Sequence, residues 1–143
     1  MSTETQSNTI TRHHISLAAA ERLIAAAQEK AADMGIPAAV AVVDADGTLK
    51  AFARADGAAL LPVRIAQQKA WTAISFGIST ADWWNMVADD KPLLHGITHQ
   101  EDVIVFPGGV PITDNGELIG GLGISGGHHS QDHEIAEAAL GAL

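Results

Sequence analysis

The chain contains no cysteine and no tyrosine, and only three tryptophans and three phenylalanines. Without cysteine there can be no disulfide, no thiolate metal site, no thiol nucleophile and no cysteine-ligated haem. Positive charge is also scarce. Eight Lys and Arg stand against seventeen Asp and Glu, a formal net charge of −9 with no basic cluster. That balance excludes nucleic acid and an anionic membrane surface as main partners. No apolar run approaches the roughly 18 residues of a membrane-spanning helix. The opening residues MSTETQSNTITR lack the apolar centre of a secretory leader. Residues 1–13 read as a disordered tail, and the cytoplasm is the expected location.

What is present suffices for one domain, residues 14–143, since 47% of the 143 residues are hydrophobic and 17% charged. Ser16 is a suitable N-cap for a helix over 17–34, with Leu17, Ala20, Ile24, Ala27, Ala31 and Met34 at helical spacing. Gly35 and Pro37 stop it. Ala38–Val43 reads as a buried strand, Asp44–Gly47 as a turn, and Thr48–Arg54 as the returning strand. A second helix spans Pro62–Phe76, packing through Ala66, Ala70, Ala73 and Ile74, and Gly77 ends it. Thr80 caps a short third helix that carries Trp83 and Trp84. A long irregular loop is expected from Asp89 to His99, then a short strand at Val103–Phe106. Asp114-Asn115-Gly116 joins strands Val110–Thr113 and Glu117–Ser125, and Ser130 caps a last helix over 130–142. Hairpins segregated from helices indicate an α+β fold around an antiparallel sheet.

The stretch richest in chemistry is GELIGGLGISGGHHSQDHE, residues 116–134. A strand passing through glycines into a helix start presents backbone N–H groups that favour an anion. Ser125, Gly126 and Gly127, with the turn at Gly108 and Gly109, are therefore candidate walls for a small carboxylic acid. Arg54 and Lys69 would supply charge, with Asp56 beside Arg54 as either a ligand clamp or a structural ion pair. His95 on the long loop joins the ligand-facing candidates. His128, His129 or His133, with Lys69, would then serve acid–base catalysis near neutral pH. The i, i+4 pair His129 and His133, with Asp132, is an alternative divalent-metal set. Histidines that merely decorate a helix start are the third reading.

Five pieces in order carry a resemblance over nearly the whole chain from His14: VVDADGTLKAFARADGA, KAWTA, GGVPI, DNGELIGGLGISGG and QDHEIAEAAL. They are similar to the GlcG/HbpS/PduO C-terminal family of small haem-binding proteins. The resemblance implies a profilin-like, GlcG-like fold with a five-stranded antiparallel sheet between helices. It implies homo-oligomers, dimer-based and up to octamers, and haem as a cofactor ligated by a histidine near the first helix, where His13 and His14 lie. It also implies GGVPI and SGG as walls of a shared pocket. Relatives beside genes of glycolate or diol catabolism point instead to a small hydroxy or oxo acid. The alternative to a haem-binding domain is then a cofactor-independent isomerase, tautomerase or lyase.

Overall fold

Alternating side chains along the central strands bury both faces of one sheet, and the helices divide between those faces. A computed structural model describes residues 7–143, so positions 1–6 of the expected tail lie outside the described residues. The elements are α1 (Leu17–Asp33), β1 (Ala39–Asp44), β2 (Leu49–Arg54), α2 (Leu60–Phe76), α3 (Thr80–Val87), α4 (Lys91–Ile97), β3 (Gly109–Asp114), β4 (Glu117–Ser125) and α5 (His129–Leu140). The strands form one antiparallel sheet in the order β2-β1-β4-β3.

On one face Val40, Val42, Val110, Ile112, Leu122 and Ile124 meet α1 and α5 in the main core. The buried stripe of α1 is Ala20, Leu23, Ala27 and Ala31. Leu17, expected inside, is half exposed, because the stripe begins one turn later. On the other face Ala39, Ala41 and Val43 pack on Ala66, Ala70 and Ile74 of α2. Here the approach is very close. Ala41, Gly123 and Gly109 lie side by side across β1, β4 and β3. A Cβ on Gly123 would collide with the Ala66 carbonyl, and one on Gly109 with the Lys69 carbonyl. Glycine is required at these positions so that α2 can lie on the strands. A third cluster, around Trp83, Val87 and Val105, holds α3 and α4 together beside the sheet.

Five local expectations are corrected. The sheet of the described residues has four strands, not five. Residues 103–106 form no strand, because their backbone is held by a side chain: Thr72 Oγ1 accepts from Ile104 N–H (3.0 Å) and donates to Asp102 C=O (2.8 Å). Val105 meanwhile packs on Trp83 and Val87. Part of the expected loop at 89–99 is α4, capped by Asp90, whose side chain accepts from Leu93 N–H at 3.2 Å. Finally, His128 rather than Ser130 caps α5, and Ser79 rather than Thr80 caps α3. The His128 Nδ1 accepts from Ser130 N–H (3.3 Å), and the Gln131 side chain accepts from His128 N–H (3.0 Å), a reciprocal capping box.

Gly123→Ala is expected to lower unfolding free energy by roughly 1–3 kcal/mol or to prevent folding. Gly96→Ala, where an added Cβ meets nothing within 4 Å, should stabilise α4 by up to about 1 kcal/mol. Urea denaturation of both variants checks the contrast.

Candidate functional site

The glycine-rich stretch at the end of β4 is chemically self-contained. Lys69 projects from α2 between the strand and α5, fully buried, and its Nζ donates to Ile124 C=O (2.8 Å) and to Asp132 Oδ2 (3.0 Å). The Phe106 ring lies 5.1 Å from the same ammonium. Asp132, also buried, accepts the Gly127 N–H on its other oxygen at 2.9 Å. Burial pushes the Lys69 ammonium below its ordinary value of 10.5, against the opposing charge and hydrogen bond of Asp132. The Gly127 N–H expected to face a ligand is thus taken by the chain's own carboxylate. The Gly109 N–H is likewise taken, by Thr80 Oγ1 at 2.9 Å. Gly108 packs directly against Lys69, and Ser125 is buried.

The remaining candidates scatter. His128 is committed to its cap, and its ring lies 4.0 Å from that of His129. His129 also sits 6.5 Å from Phe106, and His133 Nε2 approaches Glu137 at 3.6 Å. With Asp132 turned inward to Lys69, the proposed set His129, His133 and Asp132 does not converge. Among the described residues only His14, Asp44 and Asp46 bring three ligand atoms within 4.8 Å. Arg54 and Asp56 are both exposed at the end of β2, with no ion pair between them among the described residues. His95 is exposed on α4.

The residues just before α1 are held firmly. β1 leaves the edge of β4 after Asp44, opposite Gly120. The N-terminal segment takes over there, with Ile15 N–H donating to Ile119 C=O at 3.0 Å. Two residues earlier, Glu117 accepts the His13 backbone N–H on Oε1 (3.3 Å) and meets the His13 Nδ1 with Oε2 (2.7 Å). These two hydrogen bonds, ring first, hold the Glu117 carboxyl below its usual range. Arg12 donates to Ala45 C=O (2.7 Å), and Ala45 N–H donates to His14 Nδ1 (3.2 Å). Each group therefore ties the segment to the β1–β2 turn or to β4.

Two concavities flank these elements. One, of about 670 Å³, is lined by His13, His14, Arg22, Ile112, Ile119 and Leu140, among others. The other, of about 750 Å³, lies along α2 beside Leu49, Leu60, Leu61, Val63, Arg64 and Trp71, with no histidine in its lining. Glu117 and the second concavity had no local signal in the sequence. Glu117 reads as the first residue of a strand, and its partner His13 is 104 positions away.

An antiparallel sheet with α2 on one face and α1 and α5 on the other defines an α+β domain of the profilin-like kind. The family described as haem degrading protein HbpS-like matches residues 15–141, and the chain belongs to that family. It is 38% identical over 123 residues to the corrinoid adenosyltransferase PduO of Salmonella typhimurium, covering 85% of this chain but 37% of that longer protein. The Klebsiella pneumoniae protein ORFY superposes with a TM-score of 0.90 at 31% identity, covering 97% of each chain. A PduOC:heme complex superposes with a TM-score of 0.83 at 37% identity, covering 91% of this chain and 95% of that one. No helix of the described residues is long and apolar enough to cross a membrane.

Lys69→Met is expected to cost roughly 3–5 kcal/mol, because it strands the buried Asp132 carboxylate. Between the lowered folded value of Lys69 and 10.5 the unfolded chain binds more protons, so wild-type stability rises with pH across that window. The variant should lack this rise. Denaturation midpoints followed into the alkaline range check both points.

Proposed function

We propose that this chain binds haem in the groove beside the N-terminal segment, where His13 Nε2 would hold the iron. The observation that carries the reading is the His13 ring itself. Its Nδ1 is engaged by Glu117, so the neutral ring carries its proton there and Nε2 is left as the free base. The side chain is 68% exposed and lines the groove. His14 is less suited: its Nδ1 accepts from Ala45 N–H, so a neutral ring carries its proton on Nε2, 3.8 Å from Asp46.

The residues around His13 fit the cofactor. The groove volume of about 670 Å³ lies in the usual range for ligand sites. Leu140 and Leu143 offer apolar surface in front of the buried Ile112 and Ile119, which the low aromatic content does not preclude, and Arg22 offers a cation for a propionate. When bound, haem would supply an iron centre, and the residue holding it would tune that centre's electronics. The family match and the PduOC:heme relative support the same reading. Association of copies of this chain into dimer-based assemblies belongs to the same proposal, and the exposed neighbours Leu60 and Leu61 at the start of α2 offer it apolar surface.

An acid–base enzyme acting on a small hydroxy or oxo acid finds less support. Its expected anion site at Gly127 and Gly109 is filled from within, and Lys69 is closed off from both concavities.

A titration of purified protein with ferric haem, followed by absorbance, tests the proposal. The wild type should give a Soret shift saturating at a fixed ratio. His13→Ala should lose it, while His14→Ala and His129→Ala should keep it. An unchanged titration in His13→Ala would remove His13 as the ligand.

A further inference from the structure

We infer that Glu117 is the positioning residue of the haem site: it fixes the orientation and tautomer of His13 and makes its Nε2 a stronger donor to ferric iron. The inference rests on the reading of His13 as ligand. One carboxylate holds this residue at two points, its backbone N–H through Oε1 and its ring through Oε2. The ring contact of 2.7 Å has the length of a charge-assisted hydrogen bond. Rotation of the imidazole is therefore opposed by the ring bond, and displacement of the backbone by the other.

Glu117 is itself held on a rigid element. Asn115 and Gly116 adopt left-handed φ angles of 50° and 78° in the hairpin turn, and Glu117 is the next residue, paired with Asp114 across the strands. From there β4 runs into the centre of the sheet. Two residues along it, Ile119 C=O accepts from Ile15 N–H, so the segment carrying His13 is fixed both beside and beyond the ligand. No other described group competes for Nδ1.

The chemistry follows from this geometry. A carboxylate accepting the Nδ1 proton draws positive charge towards itself and raises electron density at Nε2. A more basic, net more negative ligand favours the higher charge of ferric over ferrous iron. Glu117 thereby biases the bound haem towards its oxidised state.

The test combines three measurements on the full chain: ferric haem affinity, the reduction potential of the bound haem, and ring nitrogen NMR signals of His13 without haem. Glu117→Gln keeps the shape and removes the charge. Glu117→Ala removes both, at an exposed position away from the core. Both should keep the wild-type denaturation midpoint nearly unchanged. Ferric affinity should fall roughly 10–100-fold in Glu117→Ala and less in Glu117→Gln, and the potential should rise in both. Without haem, the Nδ1-protonated signals of wild-type His13 should give way to a tautomer mixture in Glu117→Ala. Unchanged affinity and potential in both variants, with haem binding lost in His13→Ala, overturn the role of Glu117 and leave His13 as ligand. Wild-type binding by His13→Ala overturns both together.

Discussion

Helix α2 rests on the sheet with glycines of β3 and β4 beneath its carbonyl groups, and the rest of the molecule depends on that close approach. Any side chain at Gly123 would run into the Ala66 carbonyl, so the helix and the central strand are locked at one separation. Lys69, on the buried side of α2, then has no route to water and must find its partners inside. It finds them at the end of β4 and in the first turn of α5: the Ile124 carbonyl and the Asp132 carboxylate. Asp132 gathers the Gly127 N–H in turn. The point at which α5 departs from the sheet is set by this chain of contacts. With α5 placed, Ile135, Ala136 and Ala139 complete the main core, and Leu140 reaches the groove.

Two of the charged pairs differ in what they leave open to a ligand. Lys69 and Asp132 are buried, with their charges spent on each other and on nearby backbone groups. Such a unit holds elements together and offers little to a ligand. His13 and Glu117 lie at the surface, and their pairing leaves one ring nitrogen uncommitted beside a concavity. A site needs a group whose bonding is incomplete, and His13 Nε2 meets that condition in this fold. In His128 the Nδ1 accepts the Ser130 N–H of its own cap, so a neutral ring carries its proton on Nε2 and offers no free base there.

Much of the architecture was legible in local pattern. The helical spacing of α1 and α2, the β1–β2 hairpin around Asp44–Gly47 and the Asp114-Asn115-Gly116 turn all appear where their residues place them. Five short pieces in order were enough for the family. What escaped was long-range. Val103–Phe106 has the apolar composition of a strand, yet a threonine on α2 takes the Ile104 N–H and the neighbouring Asp102 carbonyl, and no strand pattern encodes that. The SGGHHSQDH stretch looks like an anion site until Asp132 is seen folded back into it. Lys69 on an alanine-rich helix looks equally ready for a ligand or for solvent. Its burial follows from Asp132, 63 positions away. Glu117 is invisible as a partner of His13 for the same reason. The N-terminal lead-in reads as a tail from its polar composition, and every residue from 7 to 14 is indeed exposed. Its anchoring lies in hydrogen bonds to β4 and to the β1–β2 turn, which composition does not reveal.

The most direct measurement is a crystal structure of the haem-loaded protein. Iron bound to His13 Nε2, with Glu117 still on Nδ1 and a propionate near Arg22, is the expected result. Haem in the apolar cleft beside Trp71, or iron bound to His129, would contradict the assignment of the site.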